Sequence, residues 1–230
     1  MDIFEQLDLA VERQRLYGVY PAEVIAINDP DQQGRVRVRL PWSPDNDSGG
    51  YEAWARLALL MAGNNRGTWF IPDVGDEVLL MFEAGDPRRP YVIGALWNGK
   101  DTPPETMDSA EDNNIKSIVS RRNIRITFDD SKGQETLTLQ TPQQTITLKD
   151  GNRAIEVRDA NGNTVKMNAS GITIRTARQV KVQAGQVEVN ANTVTVNAAM
   201  SKFSGVVQAD TVITNTIISS VYTPGAGNIW

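Results

Sequence analysis

Apolar residues in the second half of the chain come in pairs with a single residue between them. The pairs are Ile124/Ile126, Leu137/Leu139, Ile146/Leu148, Ile155/Val157, Val165/Met167, Ile172/Ile174, Val180/Val182, Val187/Val189 and Val194/Val196. In every pair the intervening residue is Thr, Lys, Arg or Glu. That is the signature of a β-strand of period two, with both apolar side chains on one face and the polar one on the other. A repeat of roughly seven to ten residues is too short for a self-contained domain and reads as the rungs of a β-solenoid or a fibrous shaft. A single-chain coil takes roughly 20 or more residues per turn, so three chains wound together fit better. Each would contribute one strand per layer, bonds between chains would satisfy the strand edges, and the paired side chains would meet on the axis. The axial residues on this reading are Ile155, Val157, Val165, Met167, Ile172, Ile174, Val180, Val182, Val187, Val189, Val194 and Val196. About a dozen rungs at the ~4.8 Å spacing of neighbouring strands gives a shaft on the order of 60 Å.

The first half carries a different pattern. Ile3, Phe4, Leu7 and Val11 fall at helical spacing, with Glu5, Glu12, Arg13 and Arg15 on the other side, and Gly18 follows as a stop. This short amphipathic helix either packs on its own domain or docks a neighbouring subunit. From Val19 onward the pattern is of strands: Pro21–Ile27, Arg35–Leu40, Trp54–Leu60, Thr68–Ile71, Glu77–Glu83 and Tyr91–Leu96, each bounded by turn residues. Five or six strands in about 80 residues without a long helix suit a small closed barrel of the OB type. Trp42, Trp54, Trp69 and Trp97 are assigned to its core or to an interface, and Gly75 to a positive φ in the turn after Pro72. The expected fold is all-β: a helix over 1–17, a five-stranded OB barrel over 18–97, a linker over 98–114, and an intertwined trimeric, triple-stranded β-helix over 115–230.

Charge divides at the same linker. Residues 1–114 hold ten Lys/Arg against twenty Asp/Glu, and residues 115–230 hold thirteen against eight, so a net −10 precedes a net +5. Two modules with different surroundings follow from such asymmetry. Arg35, Arg37 and Arg39 alternate along one strand, but the acidic residues around them argue against a nucleic-acid groove. With no cysteine and no histidine, Ser-His-Asp triads, Cys-His pairs and ordinary zinc sites are excluded. Asp129-Asp130 is read as a turn before Gly133 rather than as a hydrolytic pair. No cofactor and no enzymatic activity are expected. The sequence shows neither a membrane-length apolar run nor a signal peptide, so synthesis in the cytoplasm is expected.

Several ordered motifs in the first module are recognisable. Gly18-Val19-Tyr20-Pro21-Ala22-Glu23-Val24 is followed by Gly34-Arg35-Val36-Arg37-Val38, Trp54-Ala55-Arg56 and Phe70-Ile71-Pro72-Asp73-Val74-Gly75-Asp76-Glu77-Val78-Leu79. Phe82-Glu83-Ala84-Gly85-Asp86-Pro87-Arg88-Arg89-Pro90-Tyr91-Val92-Ile93-Gly94 completes the set. Together they resemble the OB domain of the phage baseplate assembly protein V family and of VgrG, the central spikes of contractile tails and type VI secretion systems. The resemblance runs from about Gly18 to Pro104 and implies a homotrimeric, structural spike. It would be assembled into a phage-tail-like particle and driven through a target envelope on sheath contraction. It implies as partners a separate hub protein at the barrel end, surrounding baseplate proteins, and a PAAR-like tip protein or effector at the C-terminal apex. Ile3, Phe4, Leu7 and Val11 are then candidates for docking the hub, and Ile229 and Trp230 for docking the tip. Some spikes of this kind bind iron through a His-x-His motif, which this sequence lacks, and some carry a lysozyme domain where this chain has about 17 linker residues. The alternatives are a trimeric glycan- or receptor-binding fibre and a cell-wall hydrolase.

Overall fold

The computed structural model describes residues 15–41 and 50–221. Strands dominate it; the described helical content is a 3-10 turn at Glu83–Gly85. Among the described residues no helix is long and apolar enough to cross a membrane. The chain divides into two compact units, 1–179 and 180–230.

In the first unit, β1 (Val19–Ala26), β2 (Val36–Arg39), β3 (Glu52–Leu57), β6 (Glu77–Phe82) and β7 (Pro90–Leu96) close a barrel in the order β1-β2-β3-β7-β6. Every neighbouring pair is antiparallel except β3 and β7, which run parallel. Alternation dictates what faces inward. Ala22 and Val24 on β1, Val36 and Val38 on β2, and Val78, Leu80 and Phe82 on β6 are all at most 4 % exposed, while Arg37 and Arg39 point outward. Ala55, Val92 and Leu40 complete the core, and Tyr20 and Tyr51 meet the Phe82 ring edge-on at 5.6 and 5.9 Å.

The segment between β3 and β6 differs from the sequence expectation. Thr68–Ile71 forms no strand; instead β4 (Ala62–Gly63) and β5 (Arg66–Gly67) make a two-residue-per-strand hairpin just before it. Thr68–Ile71 is apolar enough for a strand but has no open edge to join, because the barrel is already closed by the β1–β6 pairing. The tryptophan assignment also needs correction at the core. Trp69 and Trp97 are mostly exposed, and Trp54 is half-buried with the Arg35 guanidinium over its ring. Gly75 has φ +99°, as its turn requires.

After residues 98–114, which contain no strand, the chain forms a second sheet. Its strands are β8 (Ile115–Val119), β9 (Arg125–Asp129), β10 (Thr136–Gln140), β11 (Thr145–Lys149), β12 (Ala154–Arg158), β13 (Thr164–Asn168) and β14 (Gly171–Arg175). They lie side by side in chain order, each antiparallel to the last. These strands therefore take their hydrogen bonds from neighbours within the same chain. One strand per chain per layer is not the arrangement here. The reason is local: each reversal is short and carries turn residues, as in Asp159–Asn163, where the Asp159 carboxylate accepts the backbone N–H groups of Asn161 and Asn163. Residues 176–221 contain no strand.

Candidate trimer interface

The register of the second sheet sorts its side chains into two faces. On one face, Ile118, Ile126, Leu139, Ile146, Val157, Val165 and Ile174 stand opposite one another in succession across the seven strands. Beside this column runs a second: Lys116, Phe128, Leu137, Leu148, Ile155, Met167 and Ile172. The opposite face carries the column Ser117, Thr127, Thr138, Thr147, Glu156, Lys166 and Thr173. A one-residue slip of any strand would exchange its two faces, so the two-column pattern fixes the register.

The apolar face lacks cover within the chain. Leu139, Ile146, Leu148, Ile155 and Val157 each remain more than a third exposed, although they sit in the middle of the sheet. Barrel core residues at equivalent alternation are at most 6 % exposed. Full burial of such a side chain is worth about 1.5–3 kcal/mol, so an uncovered face of this extent is a strong drive for association. The one charge on it is placed at its margin: Lys116 lies on the outermost strand, and its ammonium is held by the Asp130 carboxylate at 2.8 Å.

Six of the axial candidates, Ile155, Val157, Val165, Met167, Ile172 and Ile174, lie on this face. Val180, Val182, Val187, Val189, Val194 and Val196 lie in the second unit, outside any strand, and are 57–70 % exposed. Ile118 and Phe128 belong to the face but escape the pairwise reading of the sequence. Phe128 continues the alternation of Ile126, whereas Ile124 lies just outside the strand. Ile3, Phe4, Leu7, Val11, Ile229 and Trp230, together with Trp42, fall outside the described residues.

Polar clusters elsewhere are engaged in holding the fold. Asp29 is buried and accepts the backbone N–H groups of Asp31, Gln33 and Arg35 and the Arg35 guanidinium, which also reaches Asp31. The Arg35 side chain above all, with these N–H groups, holds the Asp29 carboxyl well below the usual range. Arg37 pairs with Glu52 at 2.6 Å and Arg39 with Glu23 at 2.7 Å. The alternating arginines are thus each matched to a carboxylate and do not make a phosphate-binding stripe. Asp129 accepts the Ser131 N–H in its turn and Asp130 holds Lys116, so neither is poised as a hydrolytic acid or nucleophile. No group of three or more metal-ligating side chains occurs among the described residues.

Comparison with known families bears on both modules. Residues 20–97 match the type VI secretion system/phage-baseplate injector OB domain. Residues 136–200 match the phage baseplate V C-terminal trimerisation domain. This chain carries an injector OB domain and a baseplate V C-terminal trimerisation domain. The injector OB domain corresponds to the closed barrel, and the trimerisation domain begins at β10 and runs through the sheet into the valine-rich segment beyond it. Relatives agree. The chain is 35 % identical over 114 residues to the type VI secretion system spike protein VgrG1a of Pseudomonas aeruginosa, which is 46 % of this chain and 18 % of that protein. It is 30 % identical over 115 residues to the actin cross-linking toxin VgrG1 of Vibrio cholerae, 47 % of this chain and 10 % of that protein. VgrG3 of the same species matches at 30 % over 116 residues, 47 % and 11 % of the two chains. The chain therefore spans under a fifth of the length of these relatives.

Proposed function

We propose that this chain is the structural central spike of a contractile injection machine, a phage tail or a type VI-like system, and that three copies close their apolar sheet faces onto a common axis. The carrying observation is a one-sided apolar sheet of which five strands, β10 to β14, fall in a trimerisation domain, joined in one chain to an injector OB barrel. In the trimer, Ile155, Val157, Val165, Met167, Ile172 and Ile174 form the inner wall, with Val180 to Val196 continuing it. The polar Thr-rich face is left to solvent. Closing the prism removes the exposed apolar surface and makes a stiff rod whose strength comes from side-chain burial and continuous strand pairing. Stiffness is the property a spike needs to puncture a target envelope when a surrounding sheath contracts. No catalytic group is required by this role.

The barrel seats on a hub protein and the C-terminal end receives a PAAR-like tip protein or effector, within a particle whose other baseplate proteins surround the spike. The decisive experiment is the solution mass of the purified chain by light scattering. A value near three times 25.3 kDa supports the spike. A folded monomer with its sheet face open to solvent overturns it.

A further inference from the structure

Seventeen residues, 98–114, join the barrel to the sheet. Stretched out they could span roughly 55 Å, yet the two modules, which belong to one compact unit, touch directly. The Arg121 guanidinium, in the turn between β8 and β9, lies 3.1 Å from the Asp73 carboxylate on the turn that leads into β6. Both turns are themselves held. In the first, the Asn123 N–H donates to the Ser120 carbonyl and the Ile124 N–H to the Ser120 hydroxyl. The second is stapled to β1, the Gly75 N–H donating to the Val24 carbonyl and the Val24 N–H to the Asp76 carbonyl. An ion pair between two fixed turns sets an orientation even where, exposed as this one is, it adds little to stability.

The joining residues are tied down along their length. At the barrel end, the Asn98 side chain donates to Glu77 at 2.8 Å and accepts the N–H groups of Lys100 and Asp101. At the sheet end, the Asp108 carboxylate accepts the N–H groups of Asp112 and Asn113, and the Asn114 carbonyl accepts that of Asp130. Between them, Glu105 receives the Arg125 guanidinium of β9 at 2.5 Å, with the two side chains 37 % and 27 % exposed. The Arg125 Nε is buried and has no acceptor among the described residues, so Glu105 is the group that compensates this cation. Charge changes sign at the same junction. Residues 98–114 hold five Asp/Glu and one Lys, whereas 115–129 hold four Lys/Arg and one Asp. Both ion pairs cross that boundary.

We infer that residues 98–114 form a rigid neck, clamped by Arg121–Asp73 and Arg125–Glu105, which fixes the direction in which the sheet leaves the barrel. A free tether of this length transmits pull but not push, whereas a clamped neck transmits both. The clamp stands without the trimeric reading. Its use, keeping a shaft in line with its seat under axial load, rests on that reading.

Amide hydrogen exchange of the full-length protein, read on peptides spanning 98–114, tests the clamp. In the unmodified chain the amides of Asp101, Asp112 and Asn113 should be protected. Glu105→Gln keeps the shape but removes the charge, and should speed exchange over the neck about tenfold. Arg121→Asp sets two carboxylates face to face and should speed it about fivefold, with Asp73→Arg/Arg121→Asp restoring the original rate. Protection of β1 and β6 in the same samples shows that each variant has folded. A neck that exchanges like an unstructured peptide in the unmodified protein overturns the inference, as does a rate unmoved by Glu105→Gln or by Arg121→Asp. Failure of the double variant to restore protection removes Asp73 from the clamp. Light scattering separates this result from the trimeric reading: a monomeric mass for the unmodified chain removes the shaft, while neck protection in that same sample keeps the clamp.

Discussion

Asp29 is the residue on which the first barrel loop turns. Its carboxylate is 4 % exposed and gathers three backbone N–H groups and a guanidinium from a stretch of seven residues. Because its folded pKa is depressed, the stability it contributes is complete above the ordinary aspartate value of about 3.9 and is lost as the pH falls below it. Asp86, lowered to about 2 by the Arg88 side chain and backbone N–H, acts with the same sign. Asp29→Asn should therefore lower the barrel melting temperature at pH 7. The gap between variant and native protein should narrow as melts are repeated below about pH 4; an undiminished gap at low pH would argue against an electrostatic origin. Gly151 is the other position where one atom decides. A Cβ there would lie 2.2 Å from the Gly133 carbonyl oxygen, on the backbone of the neighbouring hairpin. Gly151→Ala should cost about 1–3 kcal/mol through overpacking, read as a loss of cooperativity in the sheet transition by circular dichroism.

At the scale of elements, β10 to β12 offer a matched pair of substitutions. Val157 stands on the apolar face between Ile146 and Val165, while Thr138 stands on the polar face between Thr127 and Thr147. Both are central, and both accept a strand backbone. Val157→Asp would bring three unpaired carboxylates into an apolar interface, where neither water nor cations solvate them. Its mass by light scattering should fall to that of a single chain. Thr138→Asp should keep the mass of the unmodified protein. Equal behaviour of the two variants would show that the face has been assigned wrongly.

For the molecule as a whole, the barrel and the trimerisation domain draw their stability from different sources. The barrel closes its own edges and buries its own core, with ten apolar residues at most 6 % exposed. The sheet and the segment after it leave their apolar faces open within one chain. Mass action then makes the melting temperature of the second module rise with protein concentration, while that of the barrel stays fixed. Differential scanning calorimetry over a hundred-fold range of concentration should resolve the two; a concentration-independent second transition would count against coupled association. The acidic front and basic rear of the chain carry no comparable weight in stability, because the described ion pairs are mostly exposed.

The sequence determined by itself that this protein is built of strands and which side chain of each strand is apolar. Val36/Val38, Leu137/Leu139 and Val165/Met167 alternate so cleanly that period two admits no helical reading. It also carried the ordered barrel motifs, whose glycines and prolines mark turns that the fold indeed makes, as at Gly75. What it could not carry was partnership. A strand's alternation is the same whether its neighbour lies in its own chain or in another, because the pattern records the two faces and says nothing about the edges. Only the tertiary structure decided that β8 to β14 pair in chain order, that Thr68–Ile71 finds no edge, and that Ile118 and Phe128 join the apolar face. Backbone hydrogen bonds are chemically identical at every residue, so the choice among possible partners is made by turn geometry and by what must be buried, and both are properties of the folded chain.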